Sequence, residues 1–175
     1  NTLDKLNPVK NYDYKVFNDM ALAEFHTWLA DIVRKAAPGI PVNSKLMNYI
    51  GYGPRNLSNN GTSYLYNYKA FDINGCDAVN YIDNEDEPLE KNIWYDYMRS
   101  YVDRPLINTE DHISRDRDVD YSPASANYMA QDIYQGAIHG RYHSDIWVWQ
   151  RYTAGGSTDF IGSIDIGHKG SGTVL

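Results

Sequence analysis

Amphipathic helical spacing and short apolar runs take turns along this chain, and that alternation restricts its fold more than any other feature. Between Tyr14 and Ala37, apolar residues recur at Phe17, Met20, Ala21, Phe25, Trp28, Leu29, Ile32, Val33 and Ala36. This spacing predicts an amphipathic helix, stopped by Pro38-Gly39. Ile40 to Met47 predicts a short strand, and Cys76 to Ile82 a buried one. Pro88 to Val102 returns to helical spacing, with Pro88 suited to the first turn. The apolar pair Leu106-Ile107 predicts a third strand, and Ser122-Pro123 is a cap-plus-proline signature opening a helix that Gly140 ends. Ser144 to Tyr152, with Ile146-Trp147-Val148-Trp149, predicts a fourth strand. Such alternation specifies an α/β fold of parallel strands with helical crossovers.

The remaining stretches are irregular. Residues 1–13 read as a lead-in without periodicity and residues 153–175 as a Gly-rich tail, so the 175 residues predict a single domain. Asn48 to Asn74 is a long loop with room for a short helix, rich in Gly, Asn, Ser and Tyr. Four parallel strands alone would leave a face or both edges uncovered, so a complement is expected.

Composition narrows the partners. A formal charge of -7 argues against a nucleic-acid backbone or an anionic membrane surface. No apolar run approaches the roughly 18 to 20 residues that span a bilayer, and Asn1 to Lys10 has no signal-peptide layout. A soluble chain is expected, whether its full-length protein is secreted or cytoplasmic. The single cysteine, Cys76, permits no internal disulfide and has no basic neighbour to activate it. Sixteen tyrosines and four tryptophans stand against four phenylalanines. Aromatic rings with a polar handle suit half-wet surfaces such as those that bind sugars, although any single tyrosine also fits the outside of a helix. His139, His143 and His168 have no metal-ligand spacing, and no metal or other cofactor is expected.

Chemistry concentrates in Arg104-Pro105-Leu106-Ile107-Asn108-Thr109-Glu110-Asp111-His112. An apolar pair breaks into five polar residues, so a buried strand delivers Glu110 to its carboxyl end. In parallel α/β folds, ligands and reacting groups collect at those ends. The competing reading of Glu110 is a capping or salt-bridged acid.

Three motifs then carry a resemblance: Asn108-Thr109-Glu110-Asp111-His112, Tyr134-Gln135-Gly136-Ala137-Ile138-His139-Gly140 and Ile146-Trp147-Val148-Trp149-Gln150-Arg151. In this order and spacing, from Phe17 to about Ser163, the chain resembles the second half of a clan A glycoside hydrolase barrel, closest to β-galactosidases of family 42. The resemblance implies a (β/α)8 TIM barrel, of which these strands would be the fifth to the eighth. It also implies a retaining mechanism with two carboxylates roughly 5 to 5.5 Å apart. Glu110 would be the nucleophile, and Tyr81, ending the neighbouring strand, would donate a hydrogen bond to it.

The same resemblance points to substrate-binding residues. His112 and Asn108 would orient Glu110 or meet sugar hydroxyls. Trp147 and Trp149 share a strand face, and Trp149, nearer the carboxyl end, would stack on a pyranose, whereas Trp147 fits the core as well. Asp83, Lys45 and Asn48 fall at strand ends within reach of hydroxyls or of local structure. The acid/base, usually in an Asn-Glu pair after the fourth strand, has no counterpart ahead of the first helix, since Asn84-Glu85 follows the sixth. The expectation is therefore a half that supplies the nucleophile for galactoside-like oligo- or polysaccharides. Its partner would be a complementary amino-terminal half or a second copy, and alone it would be inactive. The alternative is a carbohydrate-binding or scaffold half-barrel without turnover.

Overall fold

The computed structural model describes residues 7–47, 63–78, 89–111 and 123–146. The chain opens with helix α1, Pro8–Ala36, whose start lies within the stretch expected to be an irregular lead-in. The side chain of Asn7 accepts the backbone N–H of Lys10 at 3.1 Å, and Pro8 occupies the first turn. This is the same cap-plus-proline logic that Ser122-Pro123 displays. It escapes a periodicity reading because the first turns carry few apolar residues. Arg34 and Lys35 in the last turn complement the helix dipole.

Four strands follow in the order expected, with helices between them. They are β1 Leu46–Met47, β2 Asn74–Asp77, β3 Leu106–Asp111 and β4 Arg141–Ile146. Helix α2, Tyr64–Asn67, runs into a 3-10 turn at Tyr68–Ala70 ahead of β2, while α3, Leu89–Tyr101, and α4, Pro123–Ile138, make the later crossovers. All pairings are parallel, and the sheet order is β1-β2-β3-β4. Strands that neighbour each other in sequence also neighbour each other in space, without the reversal of a doubly wound sheet. The fold is an arc of the (β/α) barrel type.

Two strands begin earlier than their apolar residues predict. β2 starts at Asn74 rather than Cys76, because Asn74 is itself buried. At Gly75 a Cβ would lie 2.5 Å from the carbonyl oxygen of Ser44, so only glycine lets β2 approach the lead into β1. β4 starts at Arg141 rather than Ser144, immediately after Gly140 ends α4 with a φ of 90°. Arg141 is buried through ion pairs, which an apolar pattern does not reveal. The stretch 147–175, including the rest of the expected fourth strand, lies outside the described residues.

The core packs Leu46, Phe71, Cys76, Ala78 and Leu106 of the sheet side against Tyr64, Trp94, Tyr95 and Met98 of the helices. Tyr64 and Tyr95 are buried, and burial pushes both phenols up from their ordinary pKa. These two rings are core rather than half-wet surface. Trp94 stacks on Tyr97 at 5.2 Å, and Tyr97 meets Tyr101 edge-on at 5.1 Å.

Helix α1 is amphipathic, but its apolar stripe does not face the sheet. Its apolar face points outward, with Phe17 66% and Trp28 58% exposed, and only Ala30 is buried. Polar residues face the body instead. Asp19 accepts the N–H of Ser63 at 2.7 Å, His26 Nδ1 pairs with Asn67 Oδ1 at 2.7 Å, and Arg34 donates to the Ala70 carbonyl at 2.9 Å. Among the described residues, no helix is long and apolar enough to cross a membrane.

Candidate active site

Charged groups at the carboxyl ends of β2 and β3 meet a lysine on the approach to β1. Glu110 is the penultimate residue of β3, Asp77 is the last of β2, and Lys45 directly precedes β1. The Lys45 ammonium lies 3.3 Å from Asp77 Oδ2 and forms a closer ion pair with Glu110 Oε2. The hydrogen bond to Glu110 holds the Lys45 ammonium above its ordinary pKa; desolvation opposes this and the charge of Asp77 supports it. Glu110 keeps 21% of its side-chain surface open and Lys45 42%, whereas Asp77 is nearly covered.

Glu110 is aimed by a local irregularity. Asn108 and Asp111 both turn toward α3, where Asn108 meets Tyr95 and Asp111 meets Lys91. Strict alternation would send residues three apart to opposite faces. The register resolves this, since Asn108 pairs with Ser144 while Asp111 pairs with Ile146. One extra β3 residue is absorbed there, as in a β-bulge, and Glu110 is free to turn toward Lys45.

Asn108 is fully buried and all its amide capacity is used. Its oxygen accepts the N–H groups of Ala78 at 3.2 Å and Glu110 at 3.3 Å. Its nitrogen donates to the Ala78 carbonyl at 3.0 Å and to the Tyr95 hydroxyl at 3.2 Å. A direct contact between Asn108 and a sugar does not fit this geometry. The residue clamps β3 to the end of β2 and holds the backbone of Glu110. Thr109 adds a hydrogen bond to the Cys76 carbonyl at 3.1 Å. Burial pushes the Cys76 thiol far up, so it is no nucleophile.

Behind the strand end lies a buried ionic lattice. Lys91 of α3 donates to Asp111 at 2.7 Å and to Asp132 of α4 at 2.9 Å. Arg141 reaches Asp111 at 2.5 Å and Asp132 at 2.9 Å, and Ser144 donates to Asp111 at 2.5 Å. Two cations balance two anions, and four elements are fixed around the residue that follows Glu110.

Of the residues singled out by sequence, Glu110, Asn108 and Lys45 are described, and Lys45 meets Glu110 directly. Tyr81, Trp147, Trp149, His112, Asp83 and Asn48 lie outside the described residues. The sequence reading missed Asp77 and the lattice. A signal for the lattice existed: Lys91 shares the spacing of Trp94, Tyr95 and Met98, so a charge sits in the buried stripe of its helix. No group of three or more His, Cys, Asp or Glu that could hold a metal ion occurs among the described residues.

A family profile described as Beta-galactosidase, that of glycoside hydrolase family 42, matches residues 1–171. Among solved structures, the chain is similar to a polyextremophilic β-galactosidase from the Antarctic haloarchaeon Halorubrum lacusprofundi, with a TM-score of 0.69 at 19% identity. The similarity covers 94% of this chain and 26% of that one, so the chain spans about a quarter of its length. At that identity the likeness establishes the fold. The comparison with curated proteins found no match.

Proposed function

The chain belongs to glycoside hydrolase family 42, the β-galactosidase family, and we propose that it supplies the nucleophile of a retaining β-glycosidase acting on galactoside-like oligo- or polysaccharides. The observation that carries this reading is Glu110, held at the carboxyl end of a parallel strand, partly open, with its backbone clamped by Asn108. Its carboxylate attacks the anomeric carbon as the glycosidic oxygen departs and takes a proton from a second carboxylic acid. Water, deprotonated by that second residue, then attacks the glycosyl-enzyme and releases Glu110. Rigidity matters because an error near 1 Å can cost on the order of a hundredfold in rate.

The second carboxylate belongs to a complementary amino-terminal half of the barrel. Support comes from the margins of the arc. Among the described residues β1 and β4 are the edge strands, α1 turns Phe25, Trp28 and Ile32 outward, and α4 and β4 expose Tyr134, Ile138 and Tyr142. A half-barrel docked on both margins would cover these rings and pair both edges.

The test is Glu110→Ala in the assembled enzyme. Hydrolysis should fall on the order of 10⁴-fold, and added azide should restore turnover, yielding the glycosyl azide of inverted configuration. Undiminished hydrolysis would remove Glu110 from the chemistry. A carbohydrate-binding half without turnover is the second reading, and the ion pair that engages Glu110 favours it. Calorimetric binding of oligosaccharides with no hydrolysis by the assembled protein would select it.

A further inference from the structure

Lys45 is one ammonium shared by two carboxylates from different strands. Its anchorage is firm, since the next residue, Leu46, is buried in the core cluster and pairs with Cys76 across the sheet. Asp77, the last residue of β2, is nearly covered, so its carboxylate is a fixed point. Glu110 retains more open surface. The bridge therefore runs from a covered acid through a half-exposed ammonium to the more open acid Glu110. Lysine suits this geometry because three donors on a compact head can address two acceptors at once, whereas a guanidinium fork favours one carboxylate.

We propose that Lys45 is a positioning residue for Glu110, tethering its carboxylate to Asp77 at the mouth of the sheet and relieving the repulsion between the two acids. The inference rests on the reading of Glu110 as nucleophile. With the ammonium removed, two like charges on adjacent strands lose the cation they share, and ionising both carboxylates becomes less favourable. Among the described residues, the titratable groups on the flanking strands include Asp111, neutralised with Asp132 by Lys91 and Arg141 behind β3, and the His143–Asp145 pair on β4. These remain in place when Lys45 or Asp77 is changed.

The experiment is the pH profile of kcat/KM in the assembled enzyme for Lys45→Met, Asp77→Asn and the double variant. Lys45→Met should move the acid limb up by about one pH unit or more. Asp77→Asn alone should move it down and the double variant should return toward the parent, shifts of opposite sign that a purely structural role would not produce. Lys45→Arg, which keeps the charge, should hold the limb near its original place while lowering kcat, and it serves if Lys45→Met fails to fold. An acid limb unmoved in Lys45→Met, or moved in the same direction by Lys45→Met and Asp77→Asn, overturns the role of Lys45. Azide rescue of Glu110→Ala is independent of Lys45, so absence of rescue would instead strike the nucleophile reading.

Discussion

Lys91 of α3 and Asp111 of β3 meet at 2.7 Å with both side chains fully buried, one residue beyond the proposed nucleophile. Breaking a buried pair by truncating one partner leaves the other charge without compensation, which typically costs about 3 to 5 kcal/mol. Asp111→Ala should reach that range in chemical denaturation, because Lys91 and Arg141 both lose an anion. A loss below about 1 kcal/mol would mean that water already compensates the lattice.

Asn108 should be nearly as sensitive for a different reason. Asn108→Ala strips the Ala78 N–H and carbonyl of their partner, and each buried polar group left unsatisfied costs about 1 to 3 kcal/mol. Destabilisation of about 2 to 4 kcal/mol is expected from equilibrium unfolding. In the assembled enzyme kcat should fall more than KM rises, because the clamp acts on Glu110 rather than on the sugar. An unchanged kcat would show that the Glu110 backbone is held without it.

What could be read beforehand divides along physical lines. The alternation of elements was legible because spacing and punctuation are local: Pro38-Gly39 and Ser122-Pro123 mark their boundaries whatever the tertiary context. Glu110 was legible because a polar burst follows an apolar pair. Buried charge was legible only at Lys91, by its place in the stripe of Trp94, Tyr95 and Met98, since Asp132 and Arg141 enter the interior by meeting partners on other elements. The outward orientation of α1 was not legible for the opposite reason. Its apolar spacing marks a face that must be covered, and spacing alone does not say by what.

Asp72 links α1 to both strand approaches and sets an acid dependence. It accepts the Val42 N–H at 2.9 Å and Arg34 at 3.1 Å. The Val42 N–H, with Arg34 adding to it, holds the Asp72 carboxyl below its ordinary value of 3.8. A depressed carboxylate contributes stability that is present above the unfolded pKa and is lost as pH falls through the folded one. Asp72→Asn should therefore narrow its stability deficit against the parent as pH drops below about 4, measured by denaturation from pH 6 downward. A deficit constant over that range would contradict the linkage. Because the pair is largely exposed, solvent screening keeps the effect small.

The bare face of α1 yields the last prediction. Phe25 and Trp28 pack their rings 5.8 Å apart on the outside of the helix, with Ile32 one turn on. Replacing exposed apolar groups disturbs no core, so Phe25→Glu with Trp28→Glu should change the unfolding free energy of the chain by no more than about 0.5 kcal/mol per site. The same pair should abolish docking of the proposed complementary half, because two carboxylates would be buried without partners. Sedimentation of the mixed halves reports this directly, and hydrolysis should be lost in parallel. If the double variant instead unfolds the chain by itself, α1 is held to the body through that face. If it docks normally, the complement seats elsewhere and the outward rings of α1 need another explanation.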